Sequence, residues 1–342
     1  MKVDARLDLI KRNLQEVIGE EELVNLLSKK KNPIVYWGTM PTGSPHVAYF
    51  LPLLKLRDFL NAGLTVKVLI ADLHAALDGV SWQVLKKRQK YYEALIPLML
   101  QALDVELKRL EFVKGSKIQL QPKYFEDLLK MNMHVHVKDA TKAASEVVKM
   151  DENPKLGNLI YPLMQALDEE YLKADIQFGG LDQRKIFVFA REYLPKIGYG
   201  ARVELMNPMI PGLVGKKMSA SIPSSKIDVL DDSETIIRKL REAECEPGNA
   251  DNGVMAFLKY VIFTLKGDKK EKLTIERQDK FGGNVRYTDY ADLERDFIAK
   301  KLHPLDIKNA LGKEIIALLA PIQKNRKSLE KLYKEAYTGQ NH

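Results

Sequence analysis

One stretch constrains the fold more than any other: residues 33–72, PIVYWGTMPTGSPHVAYFLPLLKLRDFLNAGLTVKVLIAD. PIVYWG reads as a short buried strand and PTGSP as a loop. HVAYFLPLLKLRDFLNAG reads as a helix stopped at Gly63, and LTVKVLIAD as a second strand. A helix, WQVLKKRQKYYEALIPLMLQAL, and an apolar strand, RLEFVKG, follow. Strands alternating with helices in this way predict a parallel α/β sheet, with ligands expected beyond the carboxyl ends of its strands.

A chain of 342 residues exceeds one ordinary core. The pattern changes after about residue 230, where DDSETIIRKLREAEC, DNGVMAFLKYVIFTL, YADLERDFIAKKL and PLDIKNALGKEIIALLAPIQKNRKSLEKLYKEA are all helical, around an insert rich in charge and glycine, KLTIERQDKFGGNVRY. Two domains are therefore expected, an α/β unit over 1–229 and a mostly helical unit over 230–342. The net charge of +8 permits a polyanionic partner, but residues 231–342 carry 21 Lys+Arg against 19 Asp+Glu, so the surplus is no basic tail. One cysteine, Cys245, excludes a disulfide framework and fits a reducing cytosol. The N-terminus reads as neither signal nor transit peptide, and no apolar run approaches membrane-spanning length.

The first loop begins like a nucleotide-triphosphate loop, with Gly38 and Gly43 at the right spacing, yet Ser44 and Pro45 stand where the lysine and hydroxyl should be. A cation for a triphosphate has to come from elsewhere. His46, at the start of the following helix, could reach a phosphate or could simply end the helix in solvent. A second glycine turn, Gly179–Gly180 followed by Asp182, suits a base or ribose, although a glycine pair before a helix is common. Tyr161, Gln165 and Asp168 share one helix face, which is no core stripe yet lies among apolar neighbours. PGLVGKKMSASIPSSK offers lysines and serines either to a phosphate or to a plain linker. MHVHV places His134 and His136 two apart, but no Cys or carboxylate completes a shell, so no metal is assigned.

Together these stretches carry a resemblance. PTGSPHVAY resembles the HIGH region of class I aminoacyl-tRNA synthetases and KMSAS their KMSKS loop. YWGT, ADLHAALD, YPLMQALDEEYLKADIQFGGLDQRKIF, LMNPMIPGL and KFGGN…HPLDIKN resemble the tyrosyl-tRNA synthetases of archaea and eukaryotes, over essentially the whole chain. The resemblance implies a Rossmann-like catalytic domain with a helical anticodon-binding domain, the reaction of L-tyrosine with ATP and Mg2+ to tyrosyl-adenylate and pyrophosphate, transfer of tyrosine to tRNA(Tyr), a cytoplasmic location and a homodimer. Residues 122–150 would form the dimer interface.

It further implies Tyr36 and Asp168 on the substrate phenol, with Tyr161, Gln165 and Gln183 on its amino group and ring, and Leu69 and Ala71 lining the same pocket. An indole has no hydroxyl for Tyr36 and Asp168, which sets the tryptophan-specific relatives apart. For ATP it implies Gly38 and His46 on the phosphates, Gly180 and Asp182 at the ribose, and Lys217, Ser219 and Ser221 closing from the later loop. Lys217 would be the missing cation, about 180 residues downstream. Two positions depart from the pattern: Tyr49 replaces the second histidine of HIGH, and Ala220 the second lysine of KMSKS, where a potassium ion could stand in. No tightly bound metal is implied. Phe281 and His303 would stack on an anticodon base and Asp306 would bond its edge.

Overall fold

The computed structural model describes residues 2–148, 152–215, 218 and 223–338. Six strands form the main sheet: β1 (Glu16–Ile18), β2 (Ile34–Thr39), β3 (Thr65–Ile70), β4 (Leu110–Lys114), β5 (Ile176–Gly180) and β6 (Val203–Asn207), in the order β1-β6-β5-β2-β3-β4. All neighbours are parallel except β1, which runs antiparallel along the outside of β6. The chain winds outward to β3 on one side of β2 and to β6 beyond β5 on the other. The crevice between the carboxyl ends of β2 and β5 is thus the switch point of the sheet.

The expected strands β2, β3, β4 and β5 are present, and the helices Phe50–Asn61 and Trp82–Gln101 follow β2 and β3 as the pattern requires. Val35, Tyr36 and Trp37 are buried, as central parallel strands demand. β1 and β6 carried no clear signal. Every residue of β6 is buried, but Glu204 and Asn207 interrupt its apolar run. The glycine-rich insert near 272–287 holds an antiparallel hairpin, β7 (Leu273–Ile275) with β8 (Val285–Tyr287).

One apolar core runs from Ile10 to Ala336, uniting the sheet with the helices beyond residue 230. Charges from the buried Asp58 out to the exposed Asp268 tie the same parts: Asp58 pairs with Arg12 and with Lys55 at 3.1 Å, while Arg12 (2.6 Å) and Arg57 both reach Asp268. A separate core joins the helices Pro122–Asn132, Val137–Ala144, Leu156–Tyr171 and Arg184–Tyr193 on the other side of the sheet. No helix among the described residues is long and apolar enough to cross a membrane.

Candidate active site

Two connected cavities open at the switch point. The deeper, about 270 Å³, is lined by Tyr36, Leu69, Ala71, Tyr161, Gln165, Asp168 and Gln183, together with Gly38, Gly180 and Asp182. The helix face Tyr161–Gln165–Asp168 is therefore the wall of a pocket. The wider, about 680 Å³, shares Gly179, Gly180 and Asp182 with the first and adds Ser44, His46, Asn207 and Lys226.

The glycines at the crevice answer to different neighbours. A Cβ on Gly179 would lie 2.8 Å from the buried Phe187 ring, so the protein itself requires that glycine, whereas one on Gly180 would lie 2.6 Å from Asp182 Oδ1, the movable end of a side chain. Gly38 has room for a Cβ, its nearest neighbour being the Tyr36 ring at 3.8 Å. Its bare, exposed backbone instead leaves the pocket open to whatever enters.

Asp168 is fully buried at the pocket floor. Its carboxyl accepts hydrogen bonds from Tyr124 Oη at 2.9 Å and from Gln119 Nε2 at 2.9 and 3.0 Å. Burial pushes its pKa up to about 7, against the pull of those two donors. His74 lies 3.9 Å away but is no ion-pair partner, because burial pushes its own pKa down to about 4. Tyr36 accepts from Gln177 Nε2 and donates to the Gln165 carbonyl at 3.2 Å. Burial, with Asp168 adding to it, holds the Tyr36 phenol protonated. At the rim, Gln165 Nε2 donates to Gln183 Oε1 at 3.0 Å.

The wider cavity is assembled from distant chain. His46 precedes the short helix Val47–Tyr49, forms a bridge with Asp228, and is followed by Val47, whose N–H donates to the Ile227 carbonyl at 3.0 Å. The histidine segment is thereby stitched to the chain leaving KMSAS. Met218 of that motif lines the cavity. Lys216, Lys217, Ser219, Ala220 and Ser221 lie outside the described residues. The last helix, Arg326–Tyr337, closes the cavity's far side with Tyr333 and Tyr337. Arg88 connects the two sides: it donates to the Thr42 carbonyl in the first loop at 2.6 Å and to the Ala336 carbonyl at 3.5 Å, with its guanidinium 5.1 Å from the Tyr337 ring centroid.

In its two cavities the structure brings together every described residue assigned to tyrosine or ATP. Phe281, His303 and Asp306 form a separate group. Phe281 and His303 are exposed, and Asp306 is half-buried in the first turn of the helix Pro304–Gln323. Arg277 joins their two segments by donating to the carbonyls of Gly283 and Lys301, both at 3.0 Å. Sequence reasoning missed His74 and Gln177 in the deep pocket, Gln119 and Tyr124 bonded to Asp168 behind it, and Arg88, Tyr333 and Tyr337 in the cleft. Gln177 alone carried a signal, as an amide inside the apolar strand DIQF.

The model of the tRNA synthetases class I (W and Y) matches residues 28–320. The chain belongs to this family. Within it, the chain is 49% identical to the cytoplasmic tyrosine–tRNA ligase of Xenopus tropicalis, over 98% of this chain and 64% of that protein. It thus spans less than two thirds of that relative's length. It is 44% identical to the probable cytoplasmic tyrosine–tRNA ligase of Encephalitozoon cuniculi, over 98% of this chain and 100% of that one. Among solved class I synthetases, the tyrosyl-tRNA synthetase of Archaeoglobus fulgidus complexed with L-tyrosine superposes with a TM-score of 0.88 at 38% identity, covering 95% of this chain and 100% of that one.

Proposed function

We propose that this chain activates L-tyrosine with ATP and transfers it to tRNA(Tyr). The observation that carries this reading is the floor of the deep pocket, where a protonated Tyr36 and the carboxyl of Asp168 face one small cavity that opens onto a larger one. A phenol satisfies both groups, whereas phenylalanine leaves them unpaired. The names of the relatives and the L-tyrosine of the Archaeoglobus structure support the same substrate.

In this reading Tyr161, Gln165 and Gln183 hold the amino group and flank the ring. ATP, with Mg2+ as part of the substrate, lies in the wider cleft, its phosphates by Gly38 and His46 and its ribose by Gly180 and Asp182. The tyrosine carboxylate attacks the α-phosphorus, the bond to the bridging oxygen breaks, and pyrophosphate leaves. Lys217, Ser219 and Ser221 stabilise that leaving group, and a potassium ion at the position of Ala220 would add positive charge to it. The terminal ribose hydroxyl of the tRNA then attacks the tyrosyl carbonyl and AMP leaves. The protein contributes position and charge without a covalent intermediate.

Residues 1–229 perform this chemistry and 230–342 read the anticodon through Phe281, His303 and Asp306. A second copy of the chain covers the helix Pro122–Asn132 and the turn after it, where Phe125, Leu129, Met133 and Val137 leave more than half their surface exposed, as a symmetric dimer interface requires. The cytoplasm is the expected location. Tyrosine-dependent exchange of pyrophosphate into ATP tests the reading, and exchange that tyrosine does not stimulate would refute it.

A further inference from the structure

Behind the deep pocket lies a second layer of buried polar groups. Tyr36, Gln177 and Glu204 are register partners across β2, β5 and β6, so their side chains leave the same face of the sheet. The helix carrying Asp168 also carries Glu169, which lies near enough to Tyr36 and Glu204 to raise the pKa of each. Glu169 and Glu204 are both wholly buried. Their four carboxyl oxygens and Oε1 of Gln177 receive no hydrogen bond from any described residue.

Five buried acceptors without a donor cannot be sustained by two ionised carboxylates. The nearby cations do not supply the donors. Arg191 donates to Glu22 and the Arg202 carbonyl, and Arg202 to Glu170 and the carbonyls of Ala174 and Gly200. A carboxyl that keeps its proton turns one acceptor into a donor.

We propose that Glu169 and Glu204 are positioning residues for tyrosine: a protonated carboxyl of the pair donates to Gln177 Oε1 and fixes the direction of the amide. The Gln177 NH2 group then faces Tyr36, as observed, and the Tyr36 oxygen is committed as an acceptor on that side. Its own hydrogen, donated to the Gln165 carbonyl in this structure, is the one free to turn to a bound phenol. The substrate oxygen accepts from Tyr36 and its hydrogen goes to Asp168. With the amide reversed, Tyr36 would donate to Gln177 and present only an acceptor, and two acceptors would compete for the single hydrogen of the phenol. This inference rests on reading the pocket as a tyrosine site.

The environment agrees with a retained proton. Burial raises both carboxyls, Glu169 to about 8 and Glu204 well above its ordinary value; Asp168 adds to the first and Glu169 to the second, while Arg191 and Arg202 oppose both. Both protons are present at lower pH; once the first is lost as pH rises through about 8, the remaining carboxyl donates to its ionised companion rather than to Gln177, so tyrosine affinity falls on the alkaline side.

The test measures KM for tyrosine by pyrophosphate exchange from about pH 6.5 to about 9.5, in the full chain and in Glu169→Gln/Glu204→Gln, whose amides are donors that base does not remove. Above the transition the parent KM should rise to about tenfold over that of the variant, with the ATP KM parallel in both. Titration of the substrate amine is common to both proteins and cancels. At about pH 7 the Gln pair should match the parent, while Glu169→Leu/Glu204→Leu, checked for folding by thermal melting, should raise tyrosine KM about tenfold with kcat little changed. Parallel profiles in parent and Gln pair overturn the inference alone. Absence of tyrosine-dependent exchange in the parent overturns it together with the reading of the pocket.

Discussion

The two cavities that meet at the switch point are built on opposite plans. The deep pocket draws its walls from neighbouring strands and one helix, and its polar floor is braced by Gln119, Tyr124 and Gln177. The wider cleft gathers the first loop, the chain after KMSAS and the last helix, and Arg88 is a strut between two of these parts. A braced pocket suits discrimination, because its donors and acceptors cannot move to satisfy the wrong substrate. A cleft assembled from distant segments suits a reaction in which a leaving group must be gripped and then released.

The largest effect should come from the pocket. Asp168→Ala removes the acceptor for the phenol hydrogen, and the preference for tyrosine over phenylalanine should fall by at least about 10³ of the roughly 10⁴–10⁵ that a hydroxyl-reading site commands. ATP KM should stay within about twofold, because Asp168 lines only the deeper cavity. Competing the two amino acids in pyrophosphate exchange measures the ratio, and an unchanged ratio would move the selecting role away from Asp168.

Next in size is the cleft's cation. Lys217→Ala should slow single-turnover adenylate formation by about 10²–10³, the loss for one preorganised charge, while tyrosine binding in the pocket is unaffected. Lys216→Ala should cost far less. Equal losses at the two lysines would mean a generally basic loop, and the contrast between cavities would lose its chemical side.

Smaller still is the effect at the remote surface. Asp306→Ala should lower tRNA charging roughly tenfold, within the worth of one base-edge contact, and leave exchange intact. A matching fall in exchange would show that the segment around His303 supports the adenylation site rather than reading RNA.

Smallest is the strut itself. Arg88→Ala leaves the carbonyls of Thr42 and Ala336 without their charged donor and should raise ATP KM about fivefold with tyrosine KM unchanged. Steady-state kinetics in each substrate separates the two. A rise in tyrosine KM alone would mean that the first loop serves the pocket more than the cleft.

The difference in plan also governed what could be read in advance. Tyr161, Gln165 and Asp168 declare themselves because helical spacing gathers them on one face, and Gly179 and Gly180 because they punctuate a strand. Gln119 and Tyr124 sit in ordinary helical text between β4 and the helix Leu156–Tyr171, and nothing local marks them as partners of Asp168. β6 was hidden by Glu204 and Asn207, polar residues that a buried strand tolerates only for a purpose outside itself. The hairpin β7–β8 was hidden by its brevity, three residues a side.

The sequence by itself determined the parallel sheet, the place of the ligand crevice, the motif residues and, through resemblance, the chemistry they would perform. These follow from periodicity and turn residues, which act over a few positions of chain. Tertiary structure decided which groups brace Asp168, that Arg88 joins the first loop to the last helix, and that Glu169 and Glu204 meet behind Gln177. Burial and hydrogen-bond satisfaction depend on neighbours tens to hundreds of residues away, and no local pattern of the chain encodes them.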